Sequence, residues 1–276
     1  MSAQTLKANG LRAVADISAQ DSAGSRLIEF SDVTINLGGK SIIQDLSFAV
    51  RPGEFVCIIG ASGCGKTTAL RLAAGLYQPS KGEVRFSGEA MTAPRRDIAV
   101  VFQDYGKALL PWRTASGNVS LALEAAGTPA SQRQARIDAL LAKVGLPRHG
   151  DKYPSEMSGG MQQRLQIARC LAQEPVVLLM DEPFGALDAM TRQGLQDEVL
   201  SLVAASGTTV VFVTHDLEEA IYLGDRVIGL LPHPGRIGID VKVDLPRPRD
   251  QLATREDPEF LRLRRHLFDF IKASEA

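Results

Sequence analysis

Hydrophobic positions along the 276-residue chain change their rhythm twice, and each rhythm predicts a different kind of element. Near the start, "RLIEFSDVTINL" and "SIIQDLSFAV" alternate around "GGK", which predicts two strands in an antiparallel hairpin. "EFVCIIG" is apolar without a break and stops at Gly60, as expected for a strand buried on both faces. Thr67–Ala74 has helical spacing and is closed by Gly75, with Pro79 beyond. "GEVRFSG" and "DIAVVFQD" read as further strands. From about Tyr105 to Ala172 the β-branched runs vanish, and Ala, Leu, Gln and Arg take over. Within this stretch "SQRQARIDALLAKVGL" is helical, with Ser131 as its expected N-cap. Strand and helix then alternate again: "PVVLLMD", Ala189–Ala205, "TTVVFVTHD", "LEEAIYL" and "RVIGLLP". "IGIDVKVDL" predicts a last strand, "PRPRD" breaks regular structure, and Pro258–Lys272 reads as a closing amphipathic helix. The pattern is an α/β fold interrupted by a helical insertion at about residues 105–172.

Composition narrows the class without changing that picture. A formal net charge of −1 with 23% charged residues speaks against a nucleic-acid scaffold, which carries a basic face. "PVVLLM" and "VVFV" fall far short of the roughly 18 apolar residues a membrane span needs. Residues 1–25 lack a compact apolar stretch followed by a cleavage site and are expected to form a mobile tail rather than a signal peptide. Cys57, Cys64 and Cys170 stand at no metal-like spacing, so free thiols in a reducing compartment are expected.

The chemistry begins where the buried strand ends. Gly60-Ala61-Ser62-Gly63-Cys64-Gly65-Lys66-Thr67 fits G-x-x-x-x-G-K-[ST] between a strand and a helix. Glycines let backbone N–H groups approach an anion, and the helix that opens at Lys66 aims its free donors and positive dipole end at phosphate. Lys66 adds a point charge near the β/γ oxygens, the Thr67 hydroxyl can ligate Mg²⁺, and Thr68 assists at the α-phosphate. Cys64, at a helix N-terminus, is expected to have a lowered thiol pKa.

Phosphate loops serve several protein classes, and other stretches choose among them. No asparagine precedes a lysine, so an Asn-Lys-x-Asp guanine reader is missing. "VVLLMDEP" places Asp181 and Glu182 at the C-terminal edge of a buried strand, with Asp181 suited to Mg²⁺ and Glu182 to polarising water. Ser158-Gly159-Gly160 then opens a long helical pattern, a second helix N-terminus with minimal side chains. One nucleotide does not need two such cradles, which suggests that the second serves the nucleotide of another copy.

At this point the residues resemble the ATPase subunit of ABC transporters, whose signature reads Leu-Ser-Gly-Gly-Gln. This chain has Met157-Ser158-Gly159-Gly160-Met161, followed by Gln162-Gln163-Arg164. The resemblance covers roughly Leu27 to Arg249. It implies a P-loop NTPase core with an N-terminal antiparallel β subdomain and an inserted α-helical subdomain. On this reading residues 26–250 form the ATPase domain and 251–276 a C-terminal helical extension. Gln103 in "VVFQDY" resembles the glutamine that contacts Mg²⁺ or water. Asp188 closes "GALD", similar to the loop that crosses to the partner's site, and His215 in "FVTHD" resembles the switch histidine at the γ-phosphate. Leu37 stands where the family stacks an aromatic ring on adenine, which forfeits a contact worth about 1 kcal/mol.

Two cassettes bound head to tail around two ATP molecules are implied, with Mg²⁺ at each site. A separate integral-membrane permease, docked beside Gln103–Val119, would supply the path, fed indirectly by an external substrate-binding protein. Trp112 and Leu110 in that stretch fit either a docking surface or the core of the insertion. "FQDYGKALLPWRT" and "HPGRIGIDVKVDLPRPRD" look like the nitrate/sulfonate/taurine importer subfamily. The implied place is the cytoplasmic face of the inner membrane, with no nucleic acid involved. A nucleotide-switched regulatory protein and a DNA-associated ABC ATPase are the rival readings; intact Glu182 and His215 count against the first, and the lack of long heptads and basic excess against the second.

Overall fold

A computed structural model describes residues 26–185 and 187–274. The predicted tail at residues 1–25 lies outside them. In chain order the first elements are β1 (Ile28–Leu37), β2 (Lys40–Val50), β3 (Phe55–Gly60), α1 (Lys66–Ala73), β4 (Lys81–Phe86) and β5 (Glu89–Ala90). There follow β6 (Ile98–Val101), α2 (Tyr105–Ala108), α3 (Ala115–Ala125), α4 (Ala130–Lys143), α5 (Gly159–Leu171), β7 (Val177–Asp181), α6 (Ala189–Ser206) and β8 (Thr209–Val213). The chain closes with α7 (Leu217–Leu223), β9 (Arg226–Leu231), β10 (Arg236–Lys242), α8 (Ala253–Glu256) and α9 (Pro258–Ser274).

These elements form two compact units, one running up to Thr92 and resuming at Val213, the other spanning Ala93–Phe212. In the first unit, the sheet order β2-β1-β4-β5 is antiparallel throughout, and β1 and β2 form the hairpin that the "GGK" pattern predicts. Its hairpin turns at Gly38 and Gly39, both at positive φ. Beside it the order β10-β9-β3 combines an antiparallel with a parallel pairing. Every residue of β3 is buried, which explains its unbroken apolar sequence. Strand β2 reaches the other end of the unit through Ile42 and Gln44, which exchange backbone bonds with Gly235 at 2.8 and 2.9 Å.

The second unit carries helices α2–α6 and the strand order β8-β7-β6. β6 and β7 run parallel, with Val101 opposite Met180, so Phe102–Gln103 and Asp181–Glu182 leave the same edge. One local expectation fails. Ser131 is inside α4 rather than capping it, because the helix starts at Ala130 with Pro129 at the cap position and no side-chain cap bond. Proline's fixed φ suits the entry to a helix, and that wins over the serine one residue further on.

Candidate functional site

The first unit builds the phosphate loop from its own parts. Gly60, Gly63 and Gly65 have φ of 150°, 79° and 100°, a path that residues with a Cβ rarely follow. Space is as restrictive as torsion. A Cβ on Gly60 would sit 2.6 Å from Cys64 Sγ and 2.7 Å from Leu230 O, and one on Gly65 2.9 Å from Ile43 Cγ1. Gly63 instead faces open space, and Ser62 beside it is exposed. Lys66 is only 7% exposed, and its Nζ donates to Gly60 O at 2.8 Å and Ala61 O at 3.2 Å. The lysine thus tethers its own loop, and helix α1 begins with no side-chain cap on its first turn. Thr67 and Thr68 are half-buried in the first turn.

Cys64 departs from expectation. It is buried, and burial pushes its thiol pKa up, outweighing the lowering by Lys66 and by backbone N–H groups. The helix-terminus argument gave the right sign for its own contribution but omitted desolvation, which dominates here. Gly235, not among the candidate site residues above, closes the loop from outside, because a Cβ there would meet Cys64 O at 2.2 Å. Its only advance signal was the "HPGR" turn.

His215 lies in the same unit, exposed, after Thr214, whose N–H donates to Ile58 O of β3 at 3.2 Å. Asp216 next to it caps α7, accepting from Glu218 N at 3.0 Å and Glu219 N at 3.1 Å. Glu218 takes ion pairs from Arg255 at 2.8 Å and Arg264 at 3.1 Å, so α8 and α9 brace the helix that follows the histidine. His215, Arg264, Arg265, Leu261 and Phe268 border an open cavity of about 760 Å³. Leu37 ends β1 and is 37% exposed ahead of the Gly38–Gly39 turn.

The second unit holds the acidic edge. Asp181 is 7% exposed at the end of β7, and Glu182 follows with φ of 44°, a left-handed conformation that costs a non-glycine residue of order 1 kcal/mol. The chain therefore leaves the strand direction at Glu182. Phe184 is buried against Phe212, with ring centroids 5.5 Å apart, and anchors the turn beneath the two acids. Gln103 is exposed one residue past Phe102 on the neighbouring strand edge.

Ser158 caps α5 in extended geometry, its hydroxyl accepting from Met161 N at 3.4 Å. Ser158 is exposed and Gly159 half-buried, so this helix N-terminus opens outward. Gly160 is buried, and a Cβ there would meet Thr191 Cγ2 at 2.8 Å. Asp188 caps α6 by accepting from Thr191 N at 3.0 Å, and that bond holds its carboxyl below the usual range. Arg164 of α5 pairs with Glu198 of α6 and donates to Val144 O at 3.2 Å.

Trp112 is not a core residue: it is 71% exposed. Its loop is nevertheless fixed. Asn118, fully buried, accepts from Leu110 N at 2.9 Å and donates to the carbonyls of Leu110, Arg113 and Thr114, each at 3.1 Å. An asparagine inside a helical pattern gave no hint of that work.

The residues present suit ATP and Mg²⁺. The loop is a cradle that Cβ atoms would fill, and Thr67, Gln103 and Asp181 offer only the oxygen donors that Mg²⁺ prefers. Comparison with known proteins points the same way. A family model described as ABC transporter matches residues 43–185. The nitrate import ATP-binding protein NrtC of Synechococcus elongatus is 47% identical over 239 residues, 85% of this chain and 36% of that protein, so the chain spans about a third of that relative's length. The bicarbonate transport ATP-binding protein CmpD of Synechocystis sp. is 43% identical over 85% of this chain and 83% of its own. Among solved structures, the dimeric post-hydrolysis state of an ATP-binding cassette bound to ADP and Pi is similar, with a TM-score of 0.69 and 32% identity, over 78% of this chain and 98% of that one.

Proposed function

Because this chain belongs to the ABC transporter family, we propose that it energises uptake of a small anion, working as two copies on a separate membrane permease. It is an ATPase that binds ATP. Among the described residues no helix is long and apolar enough to cross a membrane. On this reading the permease is another chain, and this one works at the membrane's cytoplasmic face. Relatives named for nitrate import and bicarbonate transport support a small oxyanion as cargo. An external substrate-binding protein would deliver it to the permease.

The loop Gly60–Thr68, with Ala61, Ser62, Gly63, Cys64 and Gly65 supplying backbone, holds the phosphates, and Lys66 neutralises them. Thr67, Asp181 and Gln103 would each offer an oxygen to Mg²⁺, which would screen charge on the β/γ oxygens. Glu182 takes the proton of the attacking water, and His215 donates to the γ-phosphate. Leu37 packs on the base. Ser158, Gly159 and Gly160 present donors to the nucleotide of the second copy, and Asp188 lies on the crossing loop. Trp112, 71% exposed, offers the permease an apolar landing between Gln103 and Val119, with Phe102, 42% exposed, just ahead of that stretch.

The observation that carries the two-copy reading is the helix N-terminus at Ser158, exposed, built with glycines and without an acidic residue in its first turn. Glu182→Gln tests it. The variant is expected to bind ATP normally, to accumulate as an ATP-bound dimer in size-exclusion chromatography, and to lose at least ~100-fold in turnover. Undiminished hydrolysis would remove Glu182 as the base; loss of turnover without any dimer would remove the shared site.

A further inference from the structure

We propose that Gln166 is a positioning residue for Gln103, setting the course of the glutamine loop from the same helix that carries the Ser158–Gly160 cradle. The inference rests on the ATPase reading above and adds a residue outside the motifs that define the site.

Gln166 lies two turns into α5 and is fully buried. Its neighbours Leu165, Ile167 and Ala168 are apolar and equally buried, so an apolar side chain would be the ordinary choice there. A carboxamide survives in such a place when both its ends are bonded. Oriented to satisfy both, the amide accepts from Phe102 N at 2.8 Å and donates to Phe102 O at 3.2 Å. Pairing is not automatic on this helix. Gln163, one turn earlier and also fully buried, has no hydrogen-bond partner on either amide atom.

The choice of Phe102 gives the contact its consequence. Strand β6 ends at Val101, so Phe102 is the first residue past the strand and the last before Gln103. The carbonyl oxygen of Phe102 and the nitrogen of Gln103 share one rigid peptide plane. Holding that oxygen fixes the direction in which Gln103 leaves the strand edge. One turn further along α5, Cys170 Sγ donates to Val100 O at 3.4 Å. Residues 166 and 170 share a helix face, and they bond the backbone of Phe102, just past the strand, and of Val100 within it, so two contacts lock the register of helix and strand. A shift of α5, such as a second copy's nucleotide on its N-terminus would impose, therefore pulls on the peptide next to Gln103. Within the Ala93–Phe212 unit, cradle and glutamine are joined by one helix and one side chain.

A double-mutant cycle on the full chain tests this, with MgATP turnover as the readout. Gln166→Met keeps the length and removes the amide; Gln166→Glu keeps an oxygen for Phe102 N–H. Expected is a fall in kcat of about tenfold for Gln166→Met, a smaller fall for Gln166→Glu, and an unchanged KM for ATP, since the nucleotide cradle is untouched. In a Gln103→Ala background, Gln166→Met should cost nothing further, because the two act as one unit. If the methionine variant does not fold, the same cycle is run with Gln166→Glu. Equal losses in both backgrounds, or a wild-type kcat in Gln166→Met, would overturn the positioning role while leaving the ATPase reading intact. Full turnover in Gln103→Ala would overturn both this role and the role assigned to Gln103.

Discussion

Two helices in this chain begin on glycine-rich turns, and they are built in opposite ways. The start of α1 is closed: Cys64, Gly65 and Lys66 are buried, three loop glycines hold positive φ, and Lys66 folds onto Gly60 O and Ala61 O. The start of α5 is open: Ser158 is exposed, its cap bond is long at 3.4 Å, and Gly159 and Gly160 have no unusual torsion. No basic residue stands in the first turn of α5, whereas α1 starts with one. A helix end without a cation offers only N–H groups and a partial charge, enough for an anion already neutralised elsewhere. On the proposed reading the first terminus captures phosphate, and the second reads phosphate that another copy's loop has captured.

The largest test of that contrast is the lysine itself. Lys66→Ala should weaken nucleotide binding on the order of 100-fold, the combined value of a charge-assisted bond or two in a site shielded from water. Ser158→Ala should leave the affinity of a single copy unchanged in a dilute titration with fluorescent nucleotide, while turnover falls. Similar losses of affinity in the two variants would erase the distinction.

Thiol chemistry sharpens it on a smaller scale. Cys57, Cys64 and Cys170 are all buried, and burial raises the pKa of each, the last to about 11, so native thiols stay protonated at neutral pH. Ser158→Cys places a thiol at an exposed helix N-terminus, where the pKa is lowered. Alkylation at pH 7.5 (roughly the range where such thiols ionise) should modify the introduced cysteine at least ~10-fold faster than Cys64, followed by peptide mass spectrometry. MgATP should slow it, if a second copy covers that end. Fast labelling of Cys64 would mean the loop opens in solution.

What the sequence disclosed divides along the same line. The strand into Gly60, the hairpin at Gly38–Gly39 and the helix at Leu217–Leu223 were legible because period and turn residues are local signals. The candidate site residues could be named because their motifs need fixed residue types at fixed spacing. Buried contacts between distant segments left no such mark. The thiol of Cys64 follows its burial, which depends on Gly235 and β2, remote in sequence. Asn118 and Gln166 each hold a loop through buried amides, yet in the sequence they are polar residues within helical patterns. Ser131 misled because a serine one position inside a helix looks the same as one that caps it.

The smallest expected effect separates the reasons for glycine at the two helix starts. At Gly65 the torsion itself, φ of 100°, resists any side chain, and no change in a neighbour can relieve that. At Gly160 the torsion is helical, and the obstacle is one methyl group: the Cγ2 of Thr191, 2.8 Å from where a Cβ would stand. Gly160→Ala should therefore destabilise by about 1 kcal/mol, overpacking offset in part by alanine's better helix propensity. Thr191→Ser removes the methyl and leaves both the hydroxyl and the N–H that bonds Asp188. The double variant Gly160→Ala/Thr191→Ser should regain the lost stability in urea unfolding and its turnover with it, whereas no second substitution should rescue Gly65→Ala. Recovery of stability without turnover would mean that Gly160, like the loop glycines ahead of α1, also serves the anion, and the two termini would then be less different than their geometry makes them.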